Sequence, residues 1–129
     1  MIKIKTLKPT ESEMEILGIL WSKGPSTVRV VNDELSLKRR VGYTTTLKLM
    51  QIMTEKGLLR RKKDTRNHIY FPVAKENDTK NAMIQRFIDT LFDGSATRLV
   101  MQALGNHEAT PEELEKIKEL IREKEGGEK

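Results

Sequence analysis

The chain has 129 residues, which is enough for one ordinary domain or for a small domain with an appendage. It contains no cysteine and only two histidines, His68 and His107, so disulfides, cysteine-ligated metals and a thiol nucleophile are excluded and a histidine-based metal site is not expected. A charged fraction of 33% and the lack of a long apolar run exclude a membrane span, and the N-terminus lacks the pattern of a signal peptide. We therefore expect a cytoplasmic protein that needs no cofactor and acts by binding.

The net charge of +5 is distributed unevenly along the chain. Residues 1–75 carry 16 basic and 7 acidic residues, a net charge of +9, whereas residues 76–129 carry 8 basic and 12 acidic residues, a net charge of −4. Such a division is expected when one part of a protein contacts a polyanion and the other part does something else. Chance scatter in a chain rich in lysine and glutamate is the other interpretation, so the positions of the charges must decide.

The first 36 residues predict two helices. Thr10 and Glu13 have the spacing of a capping box, and the apolar face that follows ends at Gly24, which is followed by proline. Ser26 or Thr27 can cap a shorter second helix. A polar, basic link then leads to the next helix.

A third helix is predicted from residues 43–45 to Lys56, with Gly57 in the position that follows a helix C-terminus. On a helical wheel its core side and its outward side separate clearly. The outward side carries hydroxyl, amine, amide and aliphatic groups, which suit a DNA major groove. These residues are Thr44, Thr45, Lys48, Gln51 and Ile52. A solvated face that happens to lack acids is the alternative, but the short capped helix before it and the basic stretch after it favour a groove-reading helix.

After Gly57 the pattern changes to that of a β-hairpin. Two stretches, 58–63 and 68–73, flank the turn-forming sequence Asp-Thr-Arg-Asn. Because alternate residues of a strand face opposite ways, four consecutive cations cannot all contact one phosphate backbone. We therefore predict that Lys63 and Arg66, at the hairpin tip, contact phosphates; solubilising charge is the alternative.

Two further cations precede the third helix. Arg39 and Arg40 lie close to its N-terminus in the sequence. Because a helix N-terminus itself attracts phosphate, we predict that both arginines also contact the DNA backbone.

The order of the elements predicts the fold class, which is mainly α with a small β wing. Residues 1–75 are expected to form a winged helix-turn-helix domain that binds DNA. Residues 76–129 are expected to form a tail of three helices, which start at Asp78 or Thr79, at Ser95, and at a capping box formed by Thr110 and Glu113.

The apolar side chains of the tail follow a helical period, yet about 50 residues make a poor independent core. We therefore predict that the tails of two copies interleave and form a homodimer. The predicted dimerisation residues are Met83, Ile84, Phe87, Ile88, Leu91, Phe92, Leu99, Val100, Leu104, Leu114, Ile117 and Ile121. The alternative is a tail that folds back onto its own winged helix.

Several motifs follow one another in a fixed order along the chain. They are LKPTESEMEILGILW at 7–21, KGP at 23–25, TVRVV at 27–31, YTT at 43–45, KGLL at 56–59 and RNHIYFP at 66–72. This ordered set resembles the penicillinase-repressor and methicillin-resistance-repressor family of bacterial winged-helix transcription regulators. The resemblance implies a homodimeric repressor that binds the two halves of a partly palindromic promoter operator in double-stranded DNA. It also implies that Tyr43, Thr44 and Thr45 begin the recognition helix.

The chain departs from the family pattern at several positions. Thr46 replaces the usual aliphatic core residue, and Leu47 and Ile52 occupy positions that are often basic, so the resemblance implies DNA binding but leaves the operator preference open. The β-lactam branch is inactivated by cleavage of an Asn-Phe bond in the tail. The resemblance places Gln102-Ala103 at that point of this chain, so the same cleavage is not expected here, and an upstream sensor protease stays an unknown partner. The copper branch's cysteine cluster is absent, which excludes metal sensing by that route.

A DNA-binding repressor is thus the leading hypothesis. The alternative is a winged-helix module for protein–protein interaction, in which Leu47 and Ile52 are exposed and contact a protein. An enzyme is not expected, because the sequence has no Ser-His-Asp arrangement, no glycine-rich phosphate loop and no close pair of carboxylates in an apolar setting.

Overall fold

The computed structural model describes residues 9–64 and 66–127. The predicted winged helix also includes residues 1–8 and Thr65, and the predicted tail also includes residues 128 and 129; these positions lie outside the described residues. The described chain forms helices and one antiparallel hairpin in the order α1 (Glu11–Lys23), α2 (Val28–Ser36), α3 (Tyr43–Lys56), β1 (Leu59–Asp64), β2 (Asn67–Pro72), α4 (Glu76–Leu91), α5 (Ala96–Asn106) and α6 (Pro111–Gly126). The predicted fold class, mainly α with a small β wing, is confirmed.

Local hydrogen bonds explain where two of the helices begin. The Thr10 hydroxyl accepts a hydrogen bond from the Glu13 backbone amide at 3.2 Å, and the Glu13 carboxylate accepts one from the Thr10 amide at 2.9 Å. Thr110 and Glu113 form the same reciprocal pair ahead of α6, at 3.0 and 2.9 Å. These reciprocal bonds confirm both predicted capping boxes. Each box satisfies backbone donors that the first turn of a helix leaves without partners.

The winged helix has a core to which α1, α2, α3 and the hairpin all contribute. Its fully buried hydrophobic side chains are Ile16, Leu17, Leu20, Val31, Met50, Met53, Leu58 and Tyr70. Ser26, between α1 and α2, exchanges two backbone hydrogen bonds with Tyr70 at 3.2 and 2.8 Å, and the Trp21 indole donates to the Ala74 carbonyl at 3.0 Å. These bonds hold the hairpin against the helices.

One predicted helix boundary was wrong. Helix α4 begins at Glu76 and not at Asp78 or Thr79. The backbone amide of Thr79 donates to the carbonyl of Lys75 at 2.9 Å, so Thr79 already lies inside the first turn. Glu76 and Lys80 form an ion pair one turn apart at 2.7 Å, which supports this earlier start.

The described chain divides into two compact units, one ending at Ile84 and the other beginning at Gln85. The first unit contains the core given above. In the described part of the second unit, Ile88 is the one apolar side chain that is buried. The predicted domain limits, 1–75 and 76–129, stay a prediction. No helix among the described residues is long and apolar enough to cross a lipid bilayer.

Candidate nucleic-acid interface

Helix α3 has one buried side and one exposed side, as the helical wheel predicted. Thr46, Met50 and Met53 are completely buried. The exposed side presents the predicted groove-facing residues, which are Thr44, Thr45, Lys48, Gln51 and Ile52. The structure therefore places these five residues on one accessible face, while their contact with DNA stays a prediction.

The N-terminal end of α3 is held by α2. The Asn32 side-chain amide donates to the Thr46 hydroxyl at 2.8 Å and to the Val41 carbonyl at 3.0 Å. Helix α3 begins at Tyr43, and Gly42 before it has no side chain to cap the helix. The position of this end therefore depends on contacts with α2 and with the preceding loop.

The C-terminal end of α3 is held by α1. The Lys56 ammonium donates to both carboxylate oxygens of Glu13 at 2.9 Å, and Glu13 is only 2% exposed. A carboxylate buried to this extent requires a charged or hydrogen-bonding partner, which Lys56 and the Thr10 amide supply. Gly57 then ends the helix with φ at 88°, a conformation that favours glycine.

The hairpin divides its consecutive cations between two faces. Arg61 pairs with Tyr70 and Lys63 pairs with His68, so these four residues share the face on which Tyr70 enters the core. The other face carries Lys62 and also Arg60, whose guanidinium lies 5.7 Å from the centroid of the Phe71 ring. The predicted alternation is confirmed, and Lys63 lies on the face that is directed toward the helices.

A cleft of about 440 Å³ lies between the N-terminal ends of α2 and α3 and the second strand. The residues that line it are Thr27, Val28, Arg29, Tyr43, Leu47, Arg66, Asn67, His68 and Tyr70. It brings together Tyr43, predicted from the start of α3, and Arg66, predicted from the hairpin tip. The Arg29 guanidinium lies 5.0 Å from the centroid of the Tyr43 ring, within the range of a cation–π contact.

Arg29 was missing from the site predicted from the sequence, although it belongs to the TVRVV motif. The two arginines predicted ahead of α3 do not line the cleft. Arg39 forms an ion pair with the carboxylate of Glu15, and Arg40 is exposed. Their predicted contacts with phosphate stay a prediction.

Leu47 differs from what the interaction-module alternative requires. That alternative needs both Leu47 and Ile52 to be exposed. Leu47 is half-buried, packs against the winged-helix core and lines the cleft, whereas Ile52 is 37% exposed. Leu47 therefore lacks the full exposure that this alternative requires, because the helix turns this side chain toward α2 and the hairpin.

Most of the predicted dimerisation residues are accessible to solvent in the single chain. Ile84, Phe87, Leu91, Val100, Leu104, Leu114 and Ile121 are exposed, Met83, Phe92, Leu99 and Ile117 are half-buried, and Ile88 is buried. Met101 and Leu120, which the prediction left out, are also exposed, at 68% and 58%. Gln102 and Ala103 are exposed on α5.

These elements define a winged helix-turn-helix protein with a helical tail. The pattern of the penicillinase repressor family matches residues 9–123, so the chain belongs to that family. The resemblance drawn from the sequence motifs is confirmed.

Named relatives agree with this membership. The methicillin resistance regulatory protein MecI of Mammaliicoccus sciuri is 24% identical over 120 residues, which cover 93% of this chain and 98% of the relative. The penicillinase repressor of Bacillus licheniformis is 22% identical over 114 residues, covering 88% and 89%. The transcriptional regulator BlaI of Mycobacterium tuberculosis is 39% identical over 62 residues, covering 47% of this chain and 45% of that protein.

Proposed function

We propose that this chain is a homodimeric, sequence-specific DNA-binding repressor of transcription that acts on a partly palindromic promoter operator. The observation that carries the proposal is the joint surface formed by the exposed face of α3, the Arg29–Tyr43 cleft and the basic hairpin. Relatives named as a regulatory protein, as a penicillinase repressor and as a transcriptional regulator support it.

In this proposal α3 lies in the major groove. Thr45 and Gln51 offer hydrogen-bonding groups to base edges, and Ile52 offers an aliphatic surface to thymine methyl groups. Lys63 and Arg66 of the hairpin, together with Arg29 of the cleft, contact phosphates and set the orientation of the domain on the duplex. Base recognition and phosphate binding are thus assigned to different residues.

The tail supports the dimeric part of the proposal. Eight apolar side chains from Phe87 onward are between 41% and 68% exposed in the single chain. Water contact at so many large apolar groups is unfavourable, and a second copy of the same tail would bury them. Two recognition helices held by such a dimer would read half-sites about 10 or 20 bp apart from centre to centre.

The chemistry of this proposal needs neither a cofactor nor a catalytic residue. A repressor of this kind works where the DNA is, so we propose a cytoplasmic location.

The experiment that tests the proposal begins with selection of a duplex from a random 30-bp library by the full-length protein. Fluorescence anisotropy with the selected duplex and with a scrambled duplex then gives the affinity as a function of salt. Each phosphate neutralised should contribute about −0.9 to the log–log slope, and light scattering should give two chains per duplex. Weak binding that is insensitive to salt would contradict the proposal.

The role of the recognition helix has a test of its own. Replacing Thr45 by Ala should reduce the preference for the selected duplex over the scrambled one, because an exposed hydroxyl at the start of α3 is lost. An equal loss of affinity for both duplexes would contradict the assignment of Thr45 to base recognition.

A further inference from the structure

We propose that the buried hydrogen bond between Asn32 and Thr46 positions α3 on α2, and thereby selects which bases α3 reads. Asn32 and Thr46 are positioning residues in this inference, since neither is on the exposed face of α3. The inference rests on the DNA-binding function proposed above.

The bond joins two side chains that are almost entirely removed from water. Thr46 is 0% exposed and Asn32 is 8% exposed, and the Asn32 Nδ2 atom lies 2.8 Å from the Thr46 Oγ1 atom. Within the described residues it is the one hydrogen bond between two buried side chains. Asn32 lies on α2 and Thr46 lies on α3, so the bond joins these two helices inside the winged helix.

The same amide also fixes the loop that leads into α3. Asn32 Nδ2 donates to the Val41 carbonyl at 3.0 Å, and the Ser36 hydroxyl donates to that carbonyl at 3.4 Å. The backbone amide of Thr46 in turn donates to the Gly42 carbonyl at 3.2 Å. One side chain of α2 thus holds both the last residues before α3 and the first turn of α3.

A hydrogen bond restricts this junction more than an apolar contact does. Its energy falls steeply when the donor angle departs from linearity, whereas an apolar contact tolerates sliding and rotation. Rotation of α3 about its axis would separate Thr46 from Asn32 and would leave one N–H group of the buried amide without its acceptor. Fixing register is the best-supported role of buried polar pairs in protein cores.

The first turn of α3 is also where the predicted base contacts begin. Thr44 and Thr45 directly precede Thr46, and successive residues of a helix lie about 100° apart around its axis. The angular position of Thr46 therefore determines where the Thr44 and Thr45 hydroxyls point.

The test compares three variants of the full-length protein, all at α3 and all measured with the selected and the scrambled duplex. Thr46→Val keeps the shape of the side chain and removes the hydroxyl. Thr46→Ser keeps the hydroxyl and should retain selectivity. Thr54→Val is the matched control, because the Thr54 hydroxyl donates to the Met50 carbonyl of its own helix, at 2.8 Å, and makes no hydrogen bond to α2 within the described residues.

We expect Thr46→Val to lower the ratio of the affinity for the selected duplex to the affinity for the scrambled duplex about tenfold. This is about the discrimination that one good base contact supplies. The affinity for the scrambled duplex should stay nearly unchanged. Thr54→Val should leave the ratio at the wild-type value. A purely structural role would lower the melting temperature of Thr46→Val without changing the ratio at a temperature where the protein is folded. That result would overturn the inference, as would an equal loss with Thr54→Val.

Circular dichroism checks that each variant is folded at the assay temperature. If Thr46→Val is not folded, the double variant Asn32→Leu with Thr46→Val replaces both polar groups and leaves no side-chain donor without an acceptor. Selectivity that persists in the double variant would overturn the inference, and selectivity that is lost would support it.

A wild-type protein without selectivity would contradict the proposed function itself, whereas wild-type selectivity that survives Thr46→Val would contradict only the positioning role.

Discussion

Apolar side chains are buried in the winged helix, whereas most of those in the tail are exposed. In the winged helix, Leu17 and Met50 are completely removed from water, and polar side chains such as Asn32 have hydrogen-bonding partners. In the tail, Leu91 is 62% exposed and Met101 is 68% exposed. The first region therefore resembles a finished domain, whereas the second resembles one half of an interface.

This difference indicates that the two regions owe their stability to different sources. A core contained in one chain stabilises the fold at any protein concentration. A surface that is completed only by a partner stabilises the fold in proportion to the occupancy of that partner. Variants placed in the two regions should therefore respond differently to protein concentration and to DNA.

The largest effect is expected from a charge introduced into the tail. Phe87→Asp places a carboxylate where a 48% exposed phenyl ring is proposed to meet the second copy. The dimer should dissociate at micromolar concentration, as measured by light scattering. Affinity for the selected operator should fall about 100-fold or more, since two linked half-site contacts become two independent ones.

Ala82→Asp is the matched control for that variant. Ala82 is exposed on the same helix but lies roughly 140° around the axis from Phe87, away from the apolar face. It should remain dimeric and should bind the operator as wild type does. If Phe87→Asp also stayed dimeric, the tail would not be the interface.

A second, smaller effect is expected on the free energy of unfolding when a leucine is replaced by alanine in each of the two regions. Leu17→Ala should lower the free energy of unfolding by about 3 kcal/mol, because it leaves a cavity beside a side chain that was 0% exposed. Leu91→Ala should cost less than about 0.5 kcal/mol in a monomer, and more when the protein concentration keeps the tails together.

Urea unfolding at two protein concentrations, 100-fold apart, measures both variants. The cost of Leu17→Ala should be the same at each concentration, and the cost of Leu91→Ala should rise with concentration. Identical behaviour of the two variants would remove the contrast between the regions.

Much of the fold could be predicted from the sequence because its elements are specified locally. Thr10 with Glu13 and Thr110 with Glu113 each specify a helix start within four residues, and Gly57 specifies a helix end. The start of α4 was predicted too late because Asp78 and Thr79 have the residue types of a cap. The bond from Thr79 to Lys75 shows that the backbone was already helical there.

Residues of the candidate site were predicted only where the regular spacing of side chains along a helix or strand determines which way they face. The exposed face of α3 follows from spacing alone, so its members were found. Arg29 stacks on Tyr43, and Arg39 contacts Glu15, through pairs that are far apart in the sequence. Such pairs depend on how the helices pack, and no local pattern specifies that packing. The Asn32–Thr46 bond was missed for the same reason.

A third prediction tests the division of the hairpin into two faces. Lys63→Ala combined with Arg66→Ala should make the salt dependence of DNA binding less steep by about 0.9 for each phosphate contact that is lost. Selected and scrambled duplexes should lose affinity alike, since phosphates carry no sequence information. Arg60→Ala combined with Lys62→Ala removes the same charge from the other face and should change the slope less. A larger change from this second pair would reverse the proposed orientation of the hairpin.

The smallest effect on DNA binding is expected from replacing single arginines of the winged helix. The sequence alone does not indicate which of two arginines contributes more to DNA affinity. Arg29 lines the cleft and lies over the Tyr43 ring, so it is held beside the start of α3. Arg39 was predicted to contact phosphate, but its guanidinium contacts the Glu15 carboxylate, which lowers the net positive charge it offers to DNA. Arg29→Ala should reduce affinity about threefold and lower the salt slope by about 0.9, the value of one phosphate.

Arg39→Ala should leave the slope nearly unchanged, because an exposed ion pair of this kind contributes little on its own and DNA loses no direct contact. Anisotropy titrations at four salt concentrations between about 50 and 200 mM distinguish the two variants, because binding changes enough over that range to show the loss of a single phosphate contact. A larger slope change for Arg39→Ala than for Arg29→Ala would mean that Arg39 leaves Glu15 when DNA binds. The phosphate contact would then lie ahead of α3 and outside the cleft.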